Sequence, residues 1–226
     1  MSMQLLIIRI AVGLICTAVM SIGTIQLIKY FESIDKELNT VVSSKDKLII
    51  IILSIIVGFL STIALWNREL DIITNTVELF NISILFIYLA LESYTDQKTK
   101  LVYSSVSIIM IPIEILYVVY MVISGNSQIY GIYTLAVLFI PVVLFILSLF
   151  RGIGLGDVLI YLVISIYYIG AKEQVVVSML FNVIASNILF IITSLIYRLV
   201  KHNKEKHQPL TIFISIVTIL FSILKI

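Results

Sequence analysis

The sequence predicts an all-α fold, a polytopic transmembrane helix bundle of about eight spans, and three observations support this. Of 226 residues, 61% are hydrophobic and 12% are charged, whereas soluble domains average about 45–50% and about 25%. The mean hydropathy is +1.16, and a soluble chain of this length lacks the interior to hide so many apolar side chains. The apolar runs are about twenty residues long, which suits membrane-spanning helices rather than barrel strands.

The chain divides into apolar segments, and each must be helical because backbone in lipid has to satisfy its own hydrogen bonds. In order they are 5–28, 48–66, 72–92, 102–123, 129–150, 157–170, 175–197 and 209–224. The sixth is short because three glycines at alternate positions, 152, 154 and 156, are expected to break the helix at its start. We expect one integral membrane domain over 1–226, without a separate soluble domain.

The distribution of positive charge predicts the orientation of the spans. Four loops, 29–47, 93–101, 151–156 and 198–208, hold eleven of the fifteen Lys and Arg residues. These eleven are Lys29, Lys36, Lys45, Lys47, Lys98, Lys100, Arg151, Arg198, Lys201, Lys204 and Lys206. Cytoplasmic loops carry the excess of Lys and Arg, so these loops are expected in the cytoplasm and both termini outside it.

Composition also excludes several function classes. A net charge of +2 leaves no broad basic face, so nucleic acid is not expected as a partner. The single cysteine, Cys16, excludes an internal disulfide and a multi-cysteine zinc site. The two histidines, His202 and His207, lie in a basic loop and are expected to contact water or lipid headgroups. We therefore expect no metal and no other cofactor.

Acidic residues in or beside the spans are the candidates for chemistry, because a carboxylate in lipid is energetically costly. Asp157 follows the glycine run at the start of the sixth span, and Asp96 lies where the third span ends. The predicted topology puts both at the cytoplasmic membrane level. Simpler interpretations stay open for each: Asp157 as a helix N-cap, and Asp96 as a solvated residue neutralised by Lys98 or Lys100.

A pair of carboxyl groups at one site suggests a specific chemistry. Two carboxylates a few ångströms apart cannot both ionise cheaply, so one stays protonated. The charged group can take a proton from water while the neutral group polarises a peptide carbonyl, which is general acid–base hydrolysis without a metal. Which aspartate is the base stays open, because a coupled pair titrates as a unit.

Two further acids are candidates for supporting roles. Glu92 lies one helical turn before Asp96 and therefore on the same face, and two interpretations stay open for it: it tunes the pKa of Asp96, or it simply binds water. Glu114 lies in the middle of the fourth span, where a carboxyl group is functional by default. For Glu114, pairing with Asn182 or Asn187 in the bundle interior is an equally good interpretation.

Two motifs resemble a known family. Residues 154–157 read Gly-Leu-Gly-Asp, which matches the GxGD motif of membrane aspartic proteases. Residues 96–102 read Asp-Gln-Lys-Thr-Lys-Leu-Val, which resembles the first catalytic motif of the type IV prepilin peptidases. Residues 208–210, Gln-Pro-Leu, are similar to the Pro-containing element before that family's last span. The resemblance covers roughly 90–170.

The resemblance implies a two-Asp catalytic core over about 72–170, with Asp96 and Asp157 as the catalytic pair and Gly154 and Gly156 in the active-site turn. It implies an aspartic endopeptidase that cleaves the short basic leader of membrane-inserted pilin-like precursors at the cytoplasmic face of a bacterial or archaeal plasma membrane. Its partners would be that precursor and the lipid bilayer, and it would need no cofactor.

The chain departs from the family pattern at three places. Leu159 stands where many members have Lys, and Tyr103 stands where many have Pro. Most bacterial members also carry four zinc-binding cysteines in a cytoplasmic insert after the first span, and the loop at about 30–47 has none. The family's second activity, N-methylation with S-adenosylmethionine, is therefore not carried over to this chain.

Two alternative functions stay open. Presenilin and signal-peptide-peptidase enzymes also combine an Asp motif with GxGD, but they usually carry the first Asp within a span, whereas two lysines closely follow Asp96 here. The other alternative is a transporter or a non-enzymatic assembly subunit in which Glu114 and Asp157 face a polar pathway. Substitution of Glu114 would then abolish function while substitution of Asp96 would not.

Overall fold

The computed structural model describes residues 3–34, 42–66, 72–99, 102–126, 131–150, 154–171, 174–201 and 209–224. Of this described part, 94% is helical and none is strand, which confirms the predicted all-α fold class. The helices it contains are α1 (Met3–Ile34), α2 (Ser44–Trp66), α3 (Ile72–Thr99), α4 (Ser104–Ile123), α5 (Gly131–Leu149), α6 (Leu155–Ala171), α7 (Val175–Lys201) and α8 (Leu210–Leu224).

The outer surface of the bundle is apolar. Large hydrophobic side chains such as Phe59, Leu116 and Phe139 are more than half exposed, and a water-soluble protein rarely presents such a surface. Six helices, α1 to α5 and α7, are long and apolar enough to cross a bilayer, and α6 and α8 are shorter apolar helices. The protein is therefore a multi-pass membrane protein.

Several helices extend beyond their predicted ends, among them α1, α3 and α7, the last of which ends at Lys201 rather than at 197. α3 ends at Thr99 rather than at 92, so Asp96 lies on a helix and the predicted loop over 93–101 is wrong for its first seven residues. The extension forms because one face of this polar segment is still buried, as the side chains of Tyr94 and Thr95 show. α1 likewise ends at Ile34 rather than at 28.

Helices α3 and α6 form the centre of the bundle. α3 packs against α1, α2, α4 and α8, and α6 packs against α4, α5, α7 and α8. Almost every side chain of α6 from Val158 to Gly170 is buried, as expected for a helix that is apolar all round. The two helices that carry Asp96 and Asp157 are therefore enclosed by neighbours on several sides.

Helices α1 and α2 pack closely through a reciprocal pair of small residues. A Cβ atom added at Gly13 would overlap Thr62, and one added at Gly58 would overlap Thr17. Both threonine hydroxyls donate to carbonyls of their own helices, at 2.8 Å for Thr17 and 2.7 Å for Thr62. Small residues at such crossings let helix backbones approach closely, which is how helices associate in lipid.

We predict that Gly58→Val destabilises the fold, because its side chain would force α1 and α2 apart. Overpacking of this kind typically costs about 1–3 kcal/mol of unfolding free energy. Thermal unfolding of the purified protein in detergent measures the loss, with Gly131→Val as the control because nothing lies within 4 Å of a Cβ there. Equal stability of the two variants would contradict the proposed close packing.

Candidate functional site

Asp96 is held by a distant helix rather than by a neighbouring lysine. Its half-buried carboxylate accepts a hydrogen bond from the backbone N–H of Thr211, with Oδ2 3.4 Å from the nitrogen. Lys98 instead pairs with Asp46, with Nζ 3.8 Å from Oδ2. The interpretation that Lys98 neutralises Asp96 is therefore wrong, and Lys100 lies outside the described residues.

Asp157 lies in the first turn of α6. The helix begins at Leu155, and the N–H of Val158 donates to the carbonyl of Gly154 at 3.3 Å. Asp157 is therefore inside the helix, so the N-cap interpretation is wrong. The predicted helix break is wrong at Gly156, which lies within α6, whereas Gly154 directly precedes the helix and Gly152 lies outside the described residues. An acidic residue in the first turn is favourable there, because the N-terminal end of a helix carries partial positive charge.

The two aspartates converge on one residue of α8. The hydroxyl of Thr211 donates to Oδ1 of Asp157 at 3.2 Å, while the backbone N–H of the same residue donates to Asp96. The two carboxyl groups also lie within electrostatic range of each other. The end of α3 and the starts of α6 and α8 therefore meet at one site.

Gly156, next to Asp157, is required by close approach rather than by backbone conformation. Among the described glycines, the one with positive φ is Gly125. A Cβ atom at Gly156 would overlap the side chain of Val102, and one at Gly154 would lie 3.0 Å from Oδ2 of Asp157. Because Val102 ends the 96–102 segment, Gly156 lets the two sequence motifs touch.

Glu92 is fully buried next to this site. Its Oε2 accepts a hydrogen bond from the backbone N–H of Tyr103 at 2.9 Å, and Tyr103 immediately precedes α4. Its Oε1 has no hydrogen-bond partner within the described parts of the chain, and the carboxyl group lies within electrostatic range of Asp96. Glu92 thus ties the end of α3 to the start of α4 while adding a third acid beside the pair.

Glu114 lies elsewhere, in the middle of the bundle. Its Oε2 accepts a hydrogen bond from Nδ2 of Asn81 at 3.0 Å, and Asn81 precedes Asp96 on α3 by about 22 Å of helix length. The predicted pairing with Asn182 or Asn187 is wrong. Asn182 donates to Tyr168 and Thr218, and Asn187 donates to the carbonyl of Val183.

Among the described residues, no group of three or more His, Cys, Asp or Glu side chains is arranged to hold a metal ion. His202 and His207 lie outside those residues, so the expectation for them stays a prediction.

Sequence reasoning missed Thr211 and Val102 as parts of the site. Thr211 directly follows the Pro-Leu pair at 209–210, the element that the family resemblance singled out, so one signal pointed to its neighbourhood. Its contacts with two acids from distant helices could not be read from spacing. Val102 closes the first motif, but nothing in the sequence pairs it with Gly156.

We predict that Gly156→Ala destabilises the junction of the two motifs, because the added methyl group overlaps Val102. The expected loss of unfolding free energy is about 1–3 kcal/mol. Thermal unfolding of Gly156→Ala, Val102→Gly and the double variant forms a cycle in which the double variant regains part of the loss. Strictly additive effects would show that the contact is absent.

Comparison of the chain with family models, curated proteins and solved structures found no match. The geometry of the site and the resemblance of its two motifs are therefore what indicates a function.

Proposed function

We propose that this protein is a membrane aspartic endopeptidase that cleaves the short basic leader of pilin-like precursors at the cytoplasmic face of a bacterial or archaeal plasma membrane. The observation that supports it most is the convergence of Asp96 and Asp157 on Thr211. The resemblance of segments 96–102 and 154–157 to the prepilin peptidase motifs supplies the reaction class and the substrate class.

The proposed reaction uses the two carboxyl groups as an acid and a base. The ionised group takes a proton from a water molecule as the water oxygen attacks the scissile carbonyl carbon, and the neutral group donates a hydrogen bond to the carbonyl oxygen. The tetrahedral intermediate collapses when the carboxyl group that took the proton from water gives it to the peptide nitrogen and the C–N bond breaks, which leaves a carboxylic acid and an amine as products. Asp96 and Asp157 are both half-buried, so water can reach the pair without the site being fully solvated.

The position of the pair along its helices suits a substrate that is itself a helix in the membrane. Asp96 lies three residues before the end of α3, and Asp157 is the third residue of α6. Both acids therefore lie near helix ends, where a substrate helix frays at the bilayer edge and exposes its scissile carbonyl. Under this proposal the four Lys- and Arg-rich loops, and hence the site, face the cytoplasm.

The presenilin-like protease class remains an alternative proposal, because it would use the same two aspartates for the same reaction. Because α3 continues to Thr99, Asp96 lies on a helix, as the first aspartate of presenilin-like enzymes does. The lysines that follow Asp96 therefore do not by themselves separate the two protease classes. Substrate choice separates the two classes: prepilin-type leaders against remnant signal peptides, offered to the same purified protein.

We predict that Asp96→Asn and Asp157→Asn each lower the rate of leader cleavage at least about 100-fold, because general acid–base catalysis contributes about 10²–10⁴-fold. The assay incubates purified protein in proteoliposomes with a pilin-like precursor and follows the shortened product. Asp46→Asn is the matched control, since Asp46 pairs with Lys98 and takes no part in the site. Wild-type rates in both variants would refute the proposal.

A transporter remains the second candidate because of Glu114. This residue is fully buried, and its Oε1 has no hydrogen-bond partner among the described residues. An ionisable group inside a membrane protein commonly marks an ion or proton pathway.

We predict that Glu114→Gln retains leader cleavage, because the amide oxygen of glutamine can still accept the hydrogen bond from Asn81. The same proteoliposome assay measures it, with Asp96→Asn in parallel. A variant pair in which Glu114→Gln is inactive and Asp96→Asn is active would favour the transporter instead.

A further inference from the structure

We propose that Thr211 is the positioning residue of the site, holding the carboxyl groups of Asp96 and Asp157 in one fixed arrangement through its backbone N–H and its side-chain hydroxyl. The inference rests on the proposed function, since it concerns how that acid pair is aligned. The first turn of α8, which lies outside both aspartate motifs, thereby has a role in the site.

The backbone contact follows from the position of Thr211 in its helix. The first four N–H groups of an α-helix have no partner within the helix, and Thr211 is the second residue of α8. Its N–H is therefore free to donate to Asp96. A side-chain substitution at 211 keeps this contact.

The side-chain contact is the part that depends on residue type. The hydroxyl of Thr211 donates to Asp157, and a hydroxyl group can also accept a hydrogen bond. It can therefore serve Asp157 whether that carboxyl group is ionised or protonated during a reaction cycle. Valine has nearly the same shape but no hydroxyl group, whereas serine retains it.

The first turn of α8 is anchored well enough to position other groups. The hydroxyls of Ser93 on α3 and Ser215 on α8 lie 2.7 Å apart. The Ser215 hydroxyl also lies 2.8 Å from the carbonyl oxygen of Thr211 and 3.3 Å from that of Leu89 on α3, either of which can accept its hydrogen bond. Ser93 further reaches the carbonyl of Thr211 itself at 3.5 Å. Thr211 is fully buried, so its own side chain has little freedom to move away from the pair.

The alternative is that Thr211 only stabilises the contact between α3, α6 and α8. A purely structural role would change the stability of the protein and leave the chemistry of the acid pair unaltered. A positioning role would change the rate constant of cleavage and the vibration of the carboxyl groups, and serine would restore both.

The test compares Thr211→Val with Thr211→Ser, with Thr193→Val as the control because Thr193 is half-buried on α7 and its hydroxyl donates to a carbonyl of its own helix. In the precursor-cleavage assay, Thr211→Val should lower kcat about 10-fold to 100-fold, the effect of losing one hydrogen bond to a charged group. KM should stay unchanged, and the pH–rate profile should shift. Thr211→Ser and Thr193→Val should behave like the wild type.

A second measurement does not need substrate, so it separates failure of this inference from failure of the proposed function. Infrared difference spectra recorded across a pH titration contain the carboxyl C=O band that Asp157→Asn removes. That band should shift in Thr211→Val and keep its position in Thr211→Ser. An unshifted band in Thr211→Val, or equal loss of kcat in the valine and serine variants, would overturn the positioning role. Absence of cleavage by the wild type would refute the peptidase proposal alone.

Discussion

The site depends on holding two like-charged groups, borne by separate helices, close to one another inside a largely apolar bundle. Two nearby carboxyl groups repel when both are ionised, so the pair needs hydrogen-bond donors that make the arrangement favourable. Thr211 supplies one donor to Asp96 and one to Asp157. The start of α8 therefore contacts both the end of α3 and the start of α6 and fixes their relative positions.

Packing contacts around Asp96 and Asp157 also hold the two aspartates close together. Gly156 leaves room for Val102, so the segment that follows Asp96 can lie against the turn that precedes Asp157. Glu92 binds the N–H of Tyr103 and fixes where α4 begins relative to α3. Each contact joins residues close to one aspartate motif with residues of a neighbouring helix, so the motifs are arranged by tertiary packing.

Much of the fold was predictable from the sequence, because the length and hydropathy of the apolar runs are set by the bilayer. The predicted ends of the spans were wrong where polar residues continue a helix because one of its faces is still buried, as at the end of α3. The two aspartates were predictable as a pair from their motifs and common membrane level. The contacts of Thr211, the contact between Val102 and Gly156, and the Asn81 partner of Glu114 were not predictable, because each joins residues far apart in the chain and no motif marks the pair.

The most direct test of this account is the proximity of Asp96 and Asp157 in the membrane. In a Cys16→Ser background, cysteines replace both aspartates, and a short bis-methanethiosulfonate reagent is added to the protein in proteoliposomes. The account predicts rapid intramolecular cross-linking of this pair and none between cysteines placed at positions 114 and 157. Failure of the 96–157 pair to cross-link, while each cysteine alone reacts with a monofunctional reagent, would contradict it.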